Sequence, residues 1–128
     1  MVGAIVSSEP RSVVVVEDDV GMGKALERLL RASGFRAQSF MSAEELLRTD
    51  AADQADCLVL DINLPGISGL ELARCLIAEG RARSIIFITG QDDAKLQDEV
   101  RGHGCICFCK PFDGKALLEA IRDAIDID

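Results

Sequence analysis

No apolar run in this chain approaches the length needed to span a bilayer. The longest, such as Ser12 to Val16 and Ser84 to Ile88, are a fraction of the ~20 residues that a crossing helix requires. The amino terminus also lacks a basic segment leading into an apolar signal core, so no membrane association and a cytoplasmic location are expected. Positive charge is scarce. Asp and Glu outnumber Lys and Arg 22 to 14, for a formal net charge of −8. The basic footprint that nucleic-acid binding requires is therefore missing, and no direct grip on DNA or RNA is expected. No linker, fixed-period repeat or low-complexity tract interrupts the chain. Residues 1–11 read as a peripheral segment and 12–127 as one domain, with 48% hydrophobic content to fill a single core.

Cysteine is present, but not in a pattern that implies bridges. Five residues (Cys57, Cys75, Cys105, Cys107 and Cys109) make an odd number in a chain without an export signal, which argues against a disulfide framework. The run Cys105-Ile106-Cys107-Phe108-Cys109 would place three thiols on one face of a strand, with His103 beside them if the strand reaches that far. Thiols two residues apart on a strand are separated by roughly 6.6 Å and the outer pair by about 13 Å. Convergence on one zinc is then difficult, so core packing is expected over metal or redox chemistry.

What is abundant is alternation of strand and helix. Ser12–Val16 reads as a strand, followed by helical spacing of Met22, Leu26, Leu29 and Leu30. Ser33-Gly34 stops that helix, residues 35–40 form a second strand, and Ser42 with Glu45 forms a capping box for a short helix. Residues 56–60 are a third strand, after which Leu70, Ala73, Leu76 and Ile77 mark a helix ending near Gly80. Ser84–Ile88 is a fourth, buried strand. Residues 92–101 form a helix with a thin apolar face (Ala94, Leu96 and Val100), which predicts weak docking. Residues 105–109 are the fifth strand, and Leu117, Ala120, Ile121, Ala124 and Ile125 give an amphipathic final helix. Five such units predict an α/β fold. Its five-stranded parallel sheet, in the flavodoxin-like order 2-1-3-4-5, has helices on both faces.

In that fold, side chains at the carboxyl ends of the strands share one crevice. Glu17 and Asp18 leave the first strand, Asp61 the third, Thr89 the fourth and Lys110 the fifth. Clustered carboxylates repel one another unless a cation neutralises them. Magnesium, which prefers oxygen ligands and is commonly held by one or two carboxylates, suits Glu17, Asp18 and Asp61. With the metal in place Asp61 can act as a nucleophile toward phosphorus, while the Lys110 ammonium and the Thr89 hydroxyl stabilise the phosphoryl oxygens. Each residue has a plainer reading when taken alone. Asp18 and Asp19 read as helix caps, Asp61 and Asn63 as turn formers, and Thr89 as an ordinary strand end. Coincidence of all of them at successive strand ends is a far weaker explanation.

Together these segments resemble the receiver (CheY-like) domain of two-component response regulators. The resemblance is carried by Val13-Val14-Val15-Val16-Glu17-Asp18-Asp19, by Leu60-Asp61-Ile62-Asn63-Leu64-Pro65-Gly66 with Gly69, and by Lys110-Pro111-Phe112. Ile88-Thr89-Gly90 is most similar to receivers of the FixJ/NarL group, which precede LuxR-type DNA-binding domains. The resemblance implies that Asp61 accepts a phosphoryl group from a histidine kinase or phosphotransfer protein. Glu17, Asp18, Asp61 and the Asn63 backbone carbonyl would hold Mg2+, and Thr89 and Lys110 would read the phosphate. It further implies a cis Lys110-Pro111 bond and self-catalysed phosphotransfer and dephosphorylation rather than an enzyme acting on separate substrates. Reorganisation of the face made by the fourth helix, fifth strand and fifth helix would control an output domain or downstream protein, with a possible phosphorylation-dependent dimer. Asn63 and Gln91, two positions past Asp61 and Thr89, would set how fast water removes the phosphoryl group.

Two positions depart from the family pattern. Cys107 stands three residues before the lysine, where Tyr or Phe is usual, so the aromatic rotamer switch does not carry over. Phe108 points to the opposite face and cannot replace it. His103-Gly104 stands where Gly-Ala is usual. Two alternatives remain open. One is a pseudo-receiver used only as an interaction module, which Cys107 favours; the other is a phosphate or flavin-phosphate binding module, which the acidic crevice disfavours.

Overall fold

The computed structural model describes residues 10–81, 84–90, 94–102 and 105–126. Gln91, Asp92 and His103, about which the sequence raised expectations, lie outside the described residues. The elements in chain order are β1 (Ser12–Val16), α1 (Val20–Ala32), β2 (Arg36–Phe40), α2 (Ala43–Leu47), α3 (Ala51–Gln54) and β3 (Cys57–Asp61). They continue with α4 (Gly69–Ala78), β4 (Ile85–Thr89), α5 (Ala94–Gly102), β5 (Ile106–Cys109) and α6 (Gly114–Asp126). The strands form one sheet in the order β2-β1-β3-β4-β5 with every pairing parallel.

Side-chain alternation divides the core between two faces of the sheet. Val13, Val15, Val59, Ile86 and Ile88 pack with Leu26 and Leu30 of α1 and Leu117 and Ile121 of α6. Val14, Val16, Leu58, Leu60 and Phe87 pack with Leu46 of α2, Leu72 and Leu76 of α4 and Val100 of α5. Helices therefore cover both faces, which is why the central strands read as continuous apolar runs. No helix among the described residues is long and apolar enough to cross a membrane.

Strand limits differ from expectation for identifiable reasons. The Phe35 N–H closes α1 by donating to the Leu30 carbonyl at 3.0 Å, after Gly34 turns the chain with φ +95°. The strand therefore begins at Arg36. In the same way the Cys105 N–H donates to Val100 at 3.3 Å, and β5 starts one residue later than its apolar run. At the other end, β3 and β4 extend through Asp61 and Thr89 because the ladder continues: Ile62 N–H donates to Ile88 O at 2.9 Å and Lys110 N–H to Thr89 O at 2.7 Å.

The cap at Ser42 is present, its hydroxyl oxygen accepting from Glu45 N–H at 3.0 Å. The reciprocal capping box occurs instead at Ser68 and Glu71, opening α4. The short α3 was not anticipated; its Ala51 and Ala52 are buried against the face that holds Leu46. Ile77, expected on the apolar side of α4, is 60% exposed. Cys107 is buried, with Cys105 packed against the same cluster, while Phe108 lies on the opposite face. None of the cysteines is in a disulfide, and burial pushes the Cys57 thiol up to about 12.

Candidate functional site

The site is assembled where four strands end. Glu17 follows β1 and stays on the ladder because its N–H donates to Phe40 O at 2.9 Å, so the end of β2 fixes its backbone. Its side chain is buried (1% exposed), as are Asp61 (3%) and Thr89 (1%), the three buried polar residues among those described. Asp18 is exposed. Asp19 turns away to cap α1, accepting from Met22 N–H at 3.1 Å, while its own N–H donates to Glu17 Oε2 at 3.1 Å.

Lys110 ties the strand ends together. Its Nζ lies 2.5 Å from Glu17 Oε1 and 3.3 Å from Asp61 Oδ2. Apart from that ion pair, buried Glu17 Oε1 has no hydrogen-bond partner among the described residues. Asp61 Oδ1 accepts from Asn63 N–H at 2.9 Å. The Asn63 amide reaches the other way, its Nδ2 donating to Thr89 Oγ1 at 2.9 Å. Asn63 thus touches both the β3 and the β4 ends of the crevice. The Lys110-Pro111 bond is cis, as the resemblance implied.

Glycine matters here at one position. A Cβ on Gly69 would fall on the Asp61 carbonyl, so the start of α4 can sit against the end of β3 only without a side chain.

The electrostatics are those of an under-neutralised acidic pocket. Burial, reinforced by the neighbouring Asp61 carboxylate, pushes the Glu17 carboxyl from 4.5 up to about 7 even though Lys110 pulls the other way. Burial would lower the Lys110 ammonium, but its hydrogen bond to Glu17 and the charge of Asp61 outweigh that and raise its pKa. Carboxylate oxygens of Glu17, Asp18 and Asp61 lie within 4.8 Å of one another, the group among the described residues whose arrangement could hold a metal ion. An all-oxygen donor set, with one buried oxygen held only by an ammonium, fits a hard divalent cation.

The structure therefore brings together Glu17, Asp18, Asp61, Thr89 and Lys110 as expected, and puts Asn63 between two of them. Sequence reasoning missed Glu44 of α2, whose Oε2 accepts from Ile67 N–H at 3.2 Å in the loop after Asp61. No local spacing signals a contact across 23 residues.

A family model described as "Response regulator receiver domain" matches residues 13–122. The chain is 39% identical over 117 residues to Nodulation protein W of Bradyrhizobium diazoefficiens, covering 91% of this chain and 52% of that protein. It is 36% identical over 118 residues to Transcriptional regulatory protein FixJ of Azorhizobium caulinodans, covering 91% and 56%. It thus spans about half the length of these curated relatives. Among solved structures it superposes on response regulator StyR with a TM-score of 0.81 at 37% identity, covering 93% of this chain and 61% of that one. A response regulator receiver protein from Burkholderia phymatum gives 0.77 at 35% identity, covering 94% and 98%.

Proposed function

This chain belongs to the response regulator receiver domain family, and from that membership we propose that Asp61 is its phosphoacceptor, with Mg2+ held by Glu17, Asp18, Asp61 and the Asn63 carbonyl. A receiver is itself the phosphoacceptor rather than a catalyst for separate substrates. A carboxylate oxygen of Asp61 attacks the phosphorus of a phosphohistidine on a histidine kinase or phosphotransfer protein. The new P–O bond forms as the P–N bond breaks, and the imidazole nitrogen takes the departing electron pair. When bound, the divalent cation supplies positive charge to the oxygens of the transferring group. Lys110, already 3.3 Å from Asp61 Oδ2, shifts its ion pair from the carboxylates to the phosphoryl oxygens.

Thr89 reads the result. Its hydroxyl exchanges the Asn63 amide for a phosphoryl oxygen, drawing the end of β4 toward Asp61 and pulling on α5. The affected surface is α5, β5 and α6, on which Ile106 is 44% exposed. With Cys107 in place of a ring, the signal passes through the Thr89 backbone rather than an aromatic rotamer. The same surface controls an output domain or downstream protein and supports a phosphorylation-dependent dimer.

The observation that carries this reading is the Lys110 ammonium placed between the buried carboxylates Glu17 and Asp61. Incubation with acetyl phosphate and Mg2+, followed by intact mass, is expected to give one labile phosphoryl adduct that Asp61→Asn abolishes. No adduct on the wild type, or an adduct that survives Asp61→Asn, would refute it; the first outcome would favour a pseudo-receiver.

A further inference from the structure

We infer that Glu44, on α2 and outside every strand end, is a positioning residue for the loop that carries the Asn63 metal ligand; this rests on the phosphoacceptor reading above. That loop runs from Asp61 to Ser68 and is held firmly at both ends. Ile62 N–H donates to Ile88 O at 2.9 Å, Gly69 N–H to Ile62 O at 3.1 Å, and the side chains of Ile62 and Leu64 are buried. Its middle is held more lightly: Pro65 and Gly66 are exposed, and Ile67 is half-buried with its side chain packed against the core beside α4.

Glu44 supplies the hydrogen-bonded hold on the backbone there. Its Oε2 accepts from Ile67 N–H at 3.2 Å. Gly66 adopts φ +74°, and the Glu44 carboxylate fills the space that a Cβ there would enter. Two features of the loop, a left-handed glycine and an inward N–H, are thus shaped around one carboxylate. The helix that presents Glu44 is itself fixed, because Ala43 and Leu46 on either side are buried and Ser42 caps its first turn. Loosening the middle of the loop would let Asn63 drift from Asp61 and Thr89, which it bridges. Groups that orient a ligand without touching the metal commonly matter to affinity.

The test separates reach from charge. Glu44→Gln keeps a carbonyl acceptor at the same reach without charge, and Glu44→Asp keeps the charge but withdraws it by one methylene. Mg2+ titration by calorimetry should show Glu44→Ala and Glu44→Asp weakened by about tenfold, the low end for such residues, with Glu44→Gln close to wild type. Hydrogen exchange at the Ile67 amide should accelerate in the same two variants, and urea midpoints identify any loss that comes from unfolding. If Glu44→Ala fails to fold, the Asp and Gln pair decides alone. Wild-type affinity in Glu44→Asp, or Gln falling with Ala, overturns the positioning role while the acetyl phosphate adduct on Asp61 leaves the phosphoacceptor reading standing. A wild type that neither binds Mg2+ nor forms the adduct overturns both.

Discussion

The two ends of the sheet are finished differently. At the β2 edge, α1 reaches across the outer strand: Glu27 Oε2 accepts from both Ser39 N–H and Ser39 Oγ at 2.8 Å, and Arg31 donates to Ala37 O from Nη2 at 2.8 Å and Nε at 3.2 Å. The two side chains also pair with each other at 3.6 Å. Edge groups that would otherwise template another strand are occupied. At the other end, Val100 is the core residue described on α5. A groove of about 260 Å³ opens beside it, lined by Leu70, Ile77, Phe87 and Cys105. Arg74 and Glu99 meet across its rim at 3.5 Å, both well exposed. The difference matches the division of labour in the proposed function. Glu17, which that reading keeps in place, follows the closely bound strand pair. Thr89 and Lys110, which in the proposed function respond to the phosphoryl group, flank α5, whose core residue among those with described side chains is Val100.

Paired substitutions test that contrast. Gly69→Ala drives a Cβ into the Asp61 carbonyl, whereas Gly90→Ala meets only the flexible Lys110 Cδ at 3.4 Å. In urea melts, Gly69→Ala should lose about 3 kcal/mol and Gly90→Ala under about 0.5. Equal losses would place the two loops on the same footing. Core truncation gives the next largest difference. Val15, fully buried in β1, should cost about 2–3 kcal/mol as Val15→Ala, against about 1 for Val100→Ala beside the groove. If Val100→Ala costs as much, α5 is not weakly held.

The β2 edge offers a smaller and pH-dependent probe. Burial opposes ionisation of Glu27, but the Ser39 hydroxyl and N–H hold its carboxyl below the ordinary 4.5. Its stabilisation is therefore fully present above 4.5 and lost as pH falls through the lowered value. Glu27→Ala should cost about 1 kcal/mol at pH 7 and flatten that acid limb. Glu17 has the opposite sign. Its carboxyl is raised to about 7, so in EDTA its contribution is fully present below 4.5 and lost as pH rises through about 7. A melting temperature in EDTA that shows no decline through neutrality attributable to Glu17, by comparison with Glu17→Gln, contradicts that assignment. The smallest effect belongs to Arg74→Ala, under about 0.5 kcal/mol because the pair it breaks is solvated. A larger loss would mean that the groove rim holds α5 more firmly than its packing implies.

Much of this molecule could be read in advance. Strand order, helix placement and the convergence of Glu17, Asp61, Thr89 and Lys110 followed from alternation and from the rule that parallel strands present their carboxyl ends to one crevice. Misplaced limits at Phe35 and Cys105 share one cause, since both residues look like strand but spend their N–H groups closing the preceding helix. The cysteine row likewise behaved as strand geometry demanded, with Cys107 in the core and Phe108 opposite. The half-cap at Ser42 and the reciprocal box at Ser68 carry the same Ser-x-x-Glu spacing, so local spacing alone did not separate them.

The sequence by itself determined the periodicities, and with them the sheet, its two apolar faces and the chemical types gathered at its end, because these depend on neighbours a few residues apart. Only the tertiary structure decided how those types are connected. Lys110 lies between Glu17 and Asp61, Asn63 spans Asp61 and Thr89, and Glu44 holds Ile67. These contacts join residues that are mostly tens of positions apart, and each depends on a few ångströms of distance and angle. Such precision arises from packing two cores against one twisted sheet, and no local pattern in the chain encodes it.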